Sequence, residues 1–295
     1  MYKIAVIGAG TMGNGIAHVF AQHGFPVQLI DLNASQLEKA LMTISNNMER
    51  QVQKGLISAE EKTSAVHRIQ PVQHIKEGVC EADLVIEAAT ENESVKLNIF
   101  RELDEVSSPN AILASNTSSI SITKIASVTK RPGQVIGMHF MNPVPLMKLV
   151  EVINGFATSS TVTKKIVELT SQLGKTPCVV NDYPGFIANR ILMPMINEAI
   201  ISLQEGVATV ESIDTIMKLG MAHPMGPLQL ADFIGLDVCV AILQVLQEGF
   251  GNPKYAPATL LVNMVASGNL GLKSGEGFYK YNIGNKELTV SPKFK

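Results

Sequence analysis

Short apolar runs alternate with helical periodicity over the first two thirds of the chain. YKIAVI (2–7) is dominated by β-branched and apolar residues and reads as a buried strand; residues 11–23, with Met12, Ile16, Ala17, Val19 and Phe20 as the apolar positions, read as a helix. A second run, FPVQLI, ends at Asp31. The alternation continues through DLVIEA (83–88), ILAS (112–115), QVIGMHF (134–140), KLVEVI (148–153) and TPCVVN (176–181). Strands interleaved with helices predict a doubly wound α/β sheet, expected to span residues 1–183. The interval between Asp31 and Asp83 is far longer than the roughly dozen residues of an ordinary crossover. It predicts a long helix from Ala34 to Lys54 and a second over 59–66, a helical pair standing off the sheet where it could reach a bulky ligand.

From Tyr183 the pattern changes. PGF (184–186) breaks the chain, and helices follow at about 186–204, 210–219, 235–249 and 257–267, joined by Gly and Pro turns such as HPMGP (223–227). Residues 184–295 are expected to form a separate all-α domain for substrate and dimer contacts. Its first helix carries Ile191, Leu192, Met195, Ile196, Ile200 and Ile201, more than one amphipathic stripe needs. Either a homodimer interface or heavy core burial accounts for them.

Three glycines give the first strand and helix a chemical reading. In GAGTMG, between strand and helix, Gly8 permits a sharp turn, Gly10 lets the backbone approach a phosphate, and Gly13 lets the helix lie close to the strand. The free N–H groups of the helix start would face the anion. Asp31, at the end of the next run, stands where a carboxylate accepts hydrogen bonds from an adenosine ribose and repels a 2′-phosphate. No Arg or Lys lies between Leu32 and Glu38, so a Rossmann-type site for NAD is favoured over one for NADP.

Charge and cysteine content narrow the partners. Twenty-four Lys and Arg against 26 Asp and Glu leave no field suited to nucleic acid or an anionic membrane. No uncharged apolar stretch approaches the ~20 residues of a membrane helix, and the chain enters a strand at once, which leaves no room for a secretory signal. Cys80, Cys178 and Cys239 are widely spaced and odd in number, which points to reduced thiols in a cytoplasmic protein and not to a disulfide framework or metal site.

Among six histidines, His139 is best placed for chemistry, because ligands of open α/β sheets bind outside the carboxyl ends of the strands. The next strand carries Glu151 between Val150 and Val152. A lone carboxylate there is either tilted to solvent or partnered, since burying it unpaired is costly. If the strands are neighbours, Glu151 can hold one imidazole nitrogen and direct the other at substrate; otherwise His139 is structural and Glu151 a surface residue. ASNTSSI (114–120) offers hydroxyls and an amide, Asn116, at the same sheet edge, though its Ser and Thr could equally cap the next helix. Asn189, one turn into the first C-terminal helix, is an amide in need of a partner, which a substrate carbonyl could be. Arg50 and Lys54, four apart on one helix face, either capture an anionic substrate or form a solvated face that suits the helix dipole.

These segments, together with ATENESVK (89–96), GMHFMNPVPLMKLVEVI (137–153), DYPGFIANRILMPMINEAI (182–200), HPMGPLQLADFIGLD (223–237) and LKSGEGFYKY (272–281), resemble the L-3-hydroxyacyl-CoA dehydrogenase family over nearly the whole chain. The resemblance implies NAD-dependent oxidation of an acyl-CoA substrate, and the compact length is most like the family's short-chain bacterial members. It places the catalytic residues at Ser118, His139, Glu151 and Asn189, with His139 as general base and Glu151 as its orienter. Cofactor contacts carried over are the loop Gly8, Gly10, Thr11, Met12 and Gly13, with Asp31, Glu91, Lys96, Ser118, Asn142 and Lys273. Arg50 and Lys54 would join Ser118 and Asn189 as substrate contacts, and no metal is implied. Met141, His223 and Ser274 depart from the residues common in the family, and none removes a catalytic group. A homodimer or higher homo-oligomer is expected. The rivals are an L-gulonate-type dehydrogenase and a non-enzymatic NAD-binding protein that would keep the glycine loop alone.

Overall fold

The computed structural model describes residues 2–281 and 288–294. The chain divides into two compact units, Met1–Tyr183 and Pro184–Lys295.

The first unit is built on one eight-stranded sheet: β1 (Ile4–Ile7), β2 (Val27–Ile30), β3 (Ile69–Val72), β4 (Leu84–Glu87), β5 (Ile112–Ser115), β6 (Val135–Phe140), β7 (Leu149–Asn154) and β8 (Thr176–Asn181). The strand order is β3-β2-β1-β4-β5-β6-β7-β8. β1 to β6 run parallel, β7 turns back antiparallel to β6, and β8 runs parallel to β7. β1, β4, β5 and β6 are buried along their whole length, as central strands covered on both faces must be, which is why they read as unbroken apolar runs.

The helices of this unit are α1 (Thr11–Gln22), α2 (Ala34–Gln53), α3 (Ala59–His67), α4 (Ile75–Val79), α5 (Glu93–Val106), α6 (Ile122–Ala126) and α7 (Ser160–Gln172). Most begin where a short polar side chain satisfies an amide of the first turn: Asn33 accepts from Ser35, Asn92 from Val95 and Ser159 from Val162. Ser58 and Glu61 form a reciprocal capping box at α3.

Two expectations change here. The long interval after Asp31 holds β3 and α4 besides the two helices, so it is two successive connections. IQPV hides a strand because Pro71 cannot donate a ladder bond, which only an edge strand tolerates. The helical pair also does not stand clear: α2 and α3 both pack against α1, and Leu37, Ala40, Ile44 and Met48 of α2 join the main core.

The second unit comprises α8 (Ala188–Gln204), α9 (Val210–Gly220), α10 (Pro227–Ile234), α11 (Leu236–Phe250) and α12 (Thr259–Ala266), around a core that includes Met193, Ile196, Leu228, Leu243 and Phe278. It is helical but not wholly so, since β9 (Tyr279–Lys280) and β10 (Thr289–Val290) form a small antiparallel pair. α8 starts at Ala188 because Gly185 and Phe186 adopt positive φ, and Asn189 is its second residue, earlier than one turn in. α10 starts at Pro227 directly out of the HPMGP turn, where proline's missing N–H has no helical partner to lose.

Candidate active site

The carboxyl ends of β1, β2 and β4 surround a crevice of about 620 Å³ at the point where the strand order reverses. Gly8, Asp31, Leu32, His74, Ala89 and Thr90 are among its lining. Gly8 has φ +95°, and a Cβ there would lie 2.6 Å from Ala89 Cα. At Gly13 a Cβ would meet Gly8 O at 1.7 Å, so α1 can lie against the turn only with glycine at that position. At Gly10 a Cβ would find nothing within 4 Å, which leaves room for a ligand. Helix geometry leaves the first-turn amides of Thr11, Met12 and Gly13 without intrahelical acceptors. Asp31 accepts from Ala9 N at 2.8 Å and from Asn33 N at 2.9 Å, which fixes the carboxylate at the crevice edge. A tight turn, open amides, an apolar crevice and a fixed acid together fit a dinucleotide.

Further along the same edge, at β6 and β7, lies a histidine and carboxylate pair. β6 and β7 pair in a register that sets His139 directly opposite Glu151, so both side chains leave the same face. His139 Nδ1 lies 2.8 Å from Glu151 Oε2, and both residues are buried. A carboxylate at Nδ1 assigns the ring proton to that nitrogen and leaves the Nε2 lone pair for chemistry. Ser118 Oγ is 3.0 Å from Nε2, and Asn116 Oδ1 accepts from Phe140 N at 2.9 Å, tying the end of β6 to the loop after β5. His18 is a different kind of histidine: buried in α1, it is pushed down to about 4 by desolvation.

A second carboxylate organises the serine. Glu91 Oε1 accepts from Ser118 N at 2.8 Å, Ser119 N at 3.0 Å, Thr117 Oγ1 at 2.7 Å and Ser119 Oγ at 2.9 Å, gathering the whole 117–119 turn. Glu91 Oε2 lies 4.0 Å from Lys96 Nζ, and the fully buried Lys96 is also ion-paired to Glu87. Glu87 further accepts from Ser115 Oγ at 3.0 Å and Ala89 N at 2.9 Å. Glu87 is not among the expected site residues. Glu87 bears the same mark as Glu151, a lone carboxylate in an apolar strand.

The remaining candidates are more dispersed. Asn142 is exposed in the loop after β6 and lines a groove of about 290 Å³ with Thr11 and Asn14 of α1 and with Asn47 of α2. Arg50 is exposed near the end of α2, and Lys54, also exposed, is its C-cap residue. In the second unit, Lys273 pairs with Asp237 Oδ2 at 2.6 Å, and Asn189 is half-buried at the start of α8. That unit also holds a buried polar knot: Asp214 accepts from Leu228 N and Tyr279 OH, and Asp232, raised to about 6 by burial, accepts from Phe278 N, Tyr279 N and Tyr281 OH. Among the described residues no His, Cys, Asp and Glu cluster could hold a metal ion, and no single helix is long and apolar enough to cross a membrane.

Residues 3–183 match the NAD binding domain of 3-hydroxyacyl-CoA dehydrogenase, and residues 185–281 match that enzyme's C-terminal domain. The chain belongs to the 3-hydroxyacyl-CoA dehydrogenase family. It is 54% identical over 279 residues to a 3-hydroxybutyryl-CoA dehydrogenase of Bradyrhizobium diazoefficiens, covering 95% of each chain. It is 52% identical to a probable 3-hydroxybutyryl-CoA dehydrogenase of Bacillus subtilis, covering 95% of this chain and 97% of that one. The crystal structure of (S)-3-hydroxybutyryl-CoA dehydrogenase from Ralstonia eutropha superposes with a TM-score of 0.94 at 48% identity, covering 96% of this chain and 99% of that one. As a member of the 3-hydroxyacyl-CoA dehydrogenase family, the protein is an NAD-dependent oxidoreductase.

Proposed function

We propose that the enzyme interconverts (S)-3-hydroxybutyryl-CoA and acetoacetyl-CoA, with His139 as the proton carrier. The observation that carries this reading is the line Glu151, His139, Ser118 at the carboxyl edge of the sheet, with a carboxylate on one imidazole nitrogen and a hydroxyl on the other. Bound NAD supplies the hydride acceptor. His139 Nε2 takes the proton of the substrate 3-hydroxyl, and in the reverse direction returns it to the 3-keto oxygen. Glu151 keeps the second proton on Nδ1 and stabilises the imidazolium that forms. Ser118 holds the substrate oxygen beside Nε2, on a turn fixed by Glu91 and, behind it, Lys96. Asn189 is assigned a hydrogen bond to the substrate carbonyl.

For the cofactor, the amides of Gly10, Thr11 and Met12 would hold the pyrophosphate, with Gly8 and Gly13 keeping the turn tight, and Asp31 would bind the adenosine ribose diol. Asn142 and Lys273 complete that assignment. Arg50 and Lys54 receive the phosphates of CoA. The 184–295 unit is assigned the homodimer contact, since Ile191, Ile216, Leu219 and Met221 are exposed apolar side chains of the kind an interface covers. The enzyme is assigned to the cytoplasm, where its thiols stay reduced.

The deciding experiment follows NADH absorbance with acetoacetyl-CoA, beside free acetoacetate, L-gulonate with NAD, and NADPH in place of NADH. Rapid NADH oxidation only with the thioester is expected. Turnover of the free acids would overturn the CoA assignment of Arg50 and Lys54, and NADH binding without turnover would overturn the catalytic assignment of His139.

A further inference from the structure

The loop between β6 and β7 forms one wall of the groove beside the glycine turn, through Asn142, Val144 and Pro145. Its seating is unusual. A Cβ on Gly15 of α1 would lie 2.8 Å from Val144 Cβ, so the loop rests directly on the helix backbone, and Val144 is buried. On its other side two loop carbonyls, Val144 O and Met147 O, accept from Lys175 Nζ at 2.6 and 2.7 Å. Lys175, just before β8, is 8% exposed, and its hydrogen-bond partners among the described residues are carbonyl oxygens, not carboxylates. Burial lowers its pKa from the ordinary lysine value.

An ammonium buried without a counter-ion is costly, and a residue needed only to fill that space could be Leu or Met. What the charge supplies is a multidirectional donor: three N–H groups on one atom can satisfy two loop carbonyls at once, Val144 O of a buried residue and Met147 O at the loop's exposed end. Removing it would leave the buried Val144 O to seek another partner, which requires the loop to move.

We propose that Lys175 is a positioning residue for the cofactor side of this groove. By holding Val144 O and Met147 O it keeps the 142–147 loop, and the Asn142 amide that begins it, in place against α1. The lysine touches none of the reacting groups. The proposal rests on the reading of Asn142 as a cofactor contact, and its test separates the two.

The measurement is NADH affinity by fluorescence titration, with kcat and KM for acetoacetyl-CoA, in Lys175→Met, Lys175→Arg, Asn142→Ala and the Lys175→Met/Asn142→Ala double variant. Lys175→Met is expected to weaken NADH binding about tenfold, which corresponds to about 1.4 kcal/mol, while kcat at saturation falls much less because His139 and Glu151 stand on the strands. Lys175→Arg, which keeps the donors, recovers most of the affinity. The double variant is no weaker than the weaker single variant, because the second change removes a contact already lost. Wild-type NADH affinity in a folded Lys175→Met protein, or a double-variant loss equal to the product of the singles, overturns the proposal. If Asn142→Ala alone binds NADH normally, the reading of Asn142 fails. The lysine's role then stands if Lys175→Met still loses affinity, and falls if it does not. Should Lys175→Met not fold, Gly15→Ala displaces the same loop from the opposite side: reduced NADH affinity with preserved kcat supports the proposal, and unchanged affinity overturns it.

Discussion

The glycine turn after β1 and the hairpin of β6 and β7 meet the same edge of one sheet, yet they are made of different materials. The turn works with backbone: amides, a positive φ at Gly8, and the absence of Cβ atoms at Gly8 and Gly13. Its parts lie within six consecutive residues. The hairpin works with side chains, and its two principal groups are twelve residues apart, joined only by strand register. A backbone site binds an anion of fixed shape and is indifferent to proton movement. A side-chain pair buried at a strand end can change charge during a reaction, and that is what a proton carrier must do. On the proposed function, binding and chemistry are therefore separable, and substitutions should separate them.

His139→Gln is the strongest test of that division. The amide keeps polar atoms in place but cannot cycle a proton, so kcat should fall by at least about 10³-fold, toward the upper range for general acid-base catalysis. NADH affinity, measured by fluorescence, should stay within about twofold of wild type, since the change leaves the turn untouched. Wild-type-like turnover would remove His139 from the mechanism.

Glu151→Gln comes next. The carboxamide can still occupy the position beside Nδ1 but brings no negative charge to support the imidazolium, so a fall in kcat of about 10²-fold is expected. Steady-state turnover of acetoacetyl-CoA with saturating NADH checks it: wild-type kcat in a folded Glu151→Gln protein would mean that Glu151 only packs.

Gly13→Ala inverts the pattern. Its Cβ would need the space of Gly8 O, so α1 must shift from the turn. NADH affinity should drop at least about tenfold, with stability reduced by about 1–3 kcal/mol as in other overpacked sites. If kcat at saturating NADH falls as far as affinity does, the two regions are not independent. Ser118→Ala lies between the regions, because its turn is held by Glu91 while its hydroxyl meets His139. A loss of about tenfold in kcat/KM for acetoacetyl-CoA, at unchanged NADH affinity, is expected for one substrate hydrogen bond; an equal loss in NADH affinity would assign Ser118 to the cofactor instead.

The difference in materials also decided how much could be read in advance. The turn was legible from residues 2–31 because strand, glycines, helix and acid are contiguous. The His139 and Glu151 pair was legible only as a condition, since nothing in two separate apolar runs states their register; the family resemblance supplied what spacing could not. Glu87 carries the same signal in the sequence, for a carboxylate at the end of the buried strand 84–87 needs a partner as much as Glu151 does. Lys175 carries no such mark. A lysine after a glycine at a helix end reads as solvated, and only the Val144 and Met147 carbonyls of a loop some thirty residues earlier in the chain give it a role. β3 escaped because proline argues against a strand unless the strand is known to lie at an edge, and edges are a property of the finished sheet.

The smallest effect probes the end of α2, which belongs to neither region. Arg50 and Lys54 are exposed, and a cation near a helix C-terminus is already favoured by the helix dipole, so their presence there needs no ligand. A phosphate held by an exposed lysine is screened by water and salt, and such a contact is worth about 0.2–1 kcal/mol. Lys54→Ala should therefore raise KM for acetoacetyl-CoA by only about two- to fivefold while kcat stays at the wild-type value. Ionic strength supplies the control: in the wild type KM should climb with added salt as the phosphate contact is screened, and in Lys54→Ala that climb should flatten. Parallel salt curves with an unchanged KM would return the end of α2 to a solvated face. They would leave the sheet edge as the place where the substrate is held, through Ser118 and the carbonyl end of the thioester rather than through its phosphates.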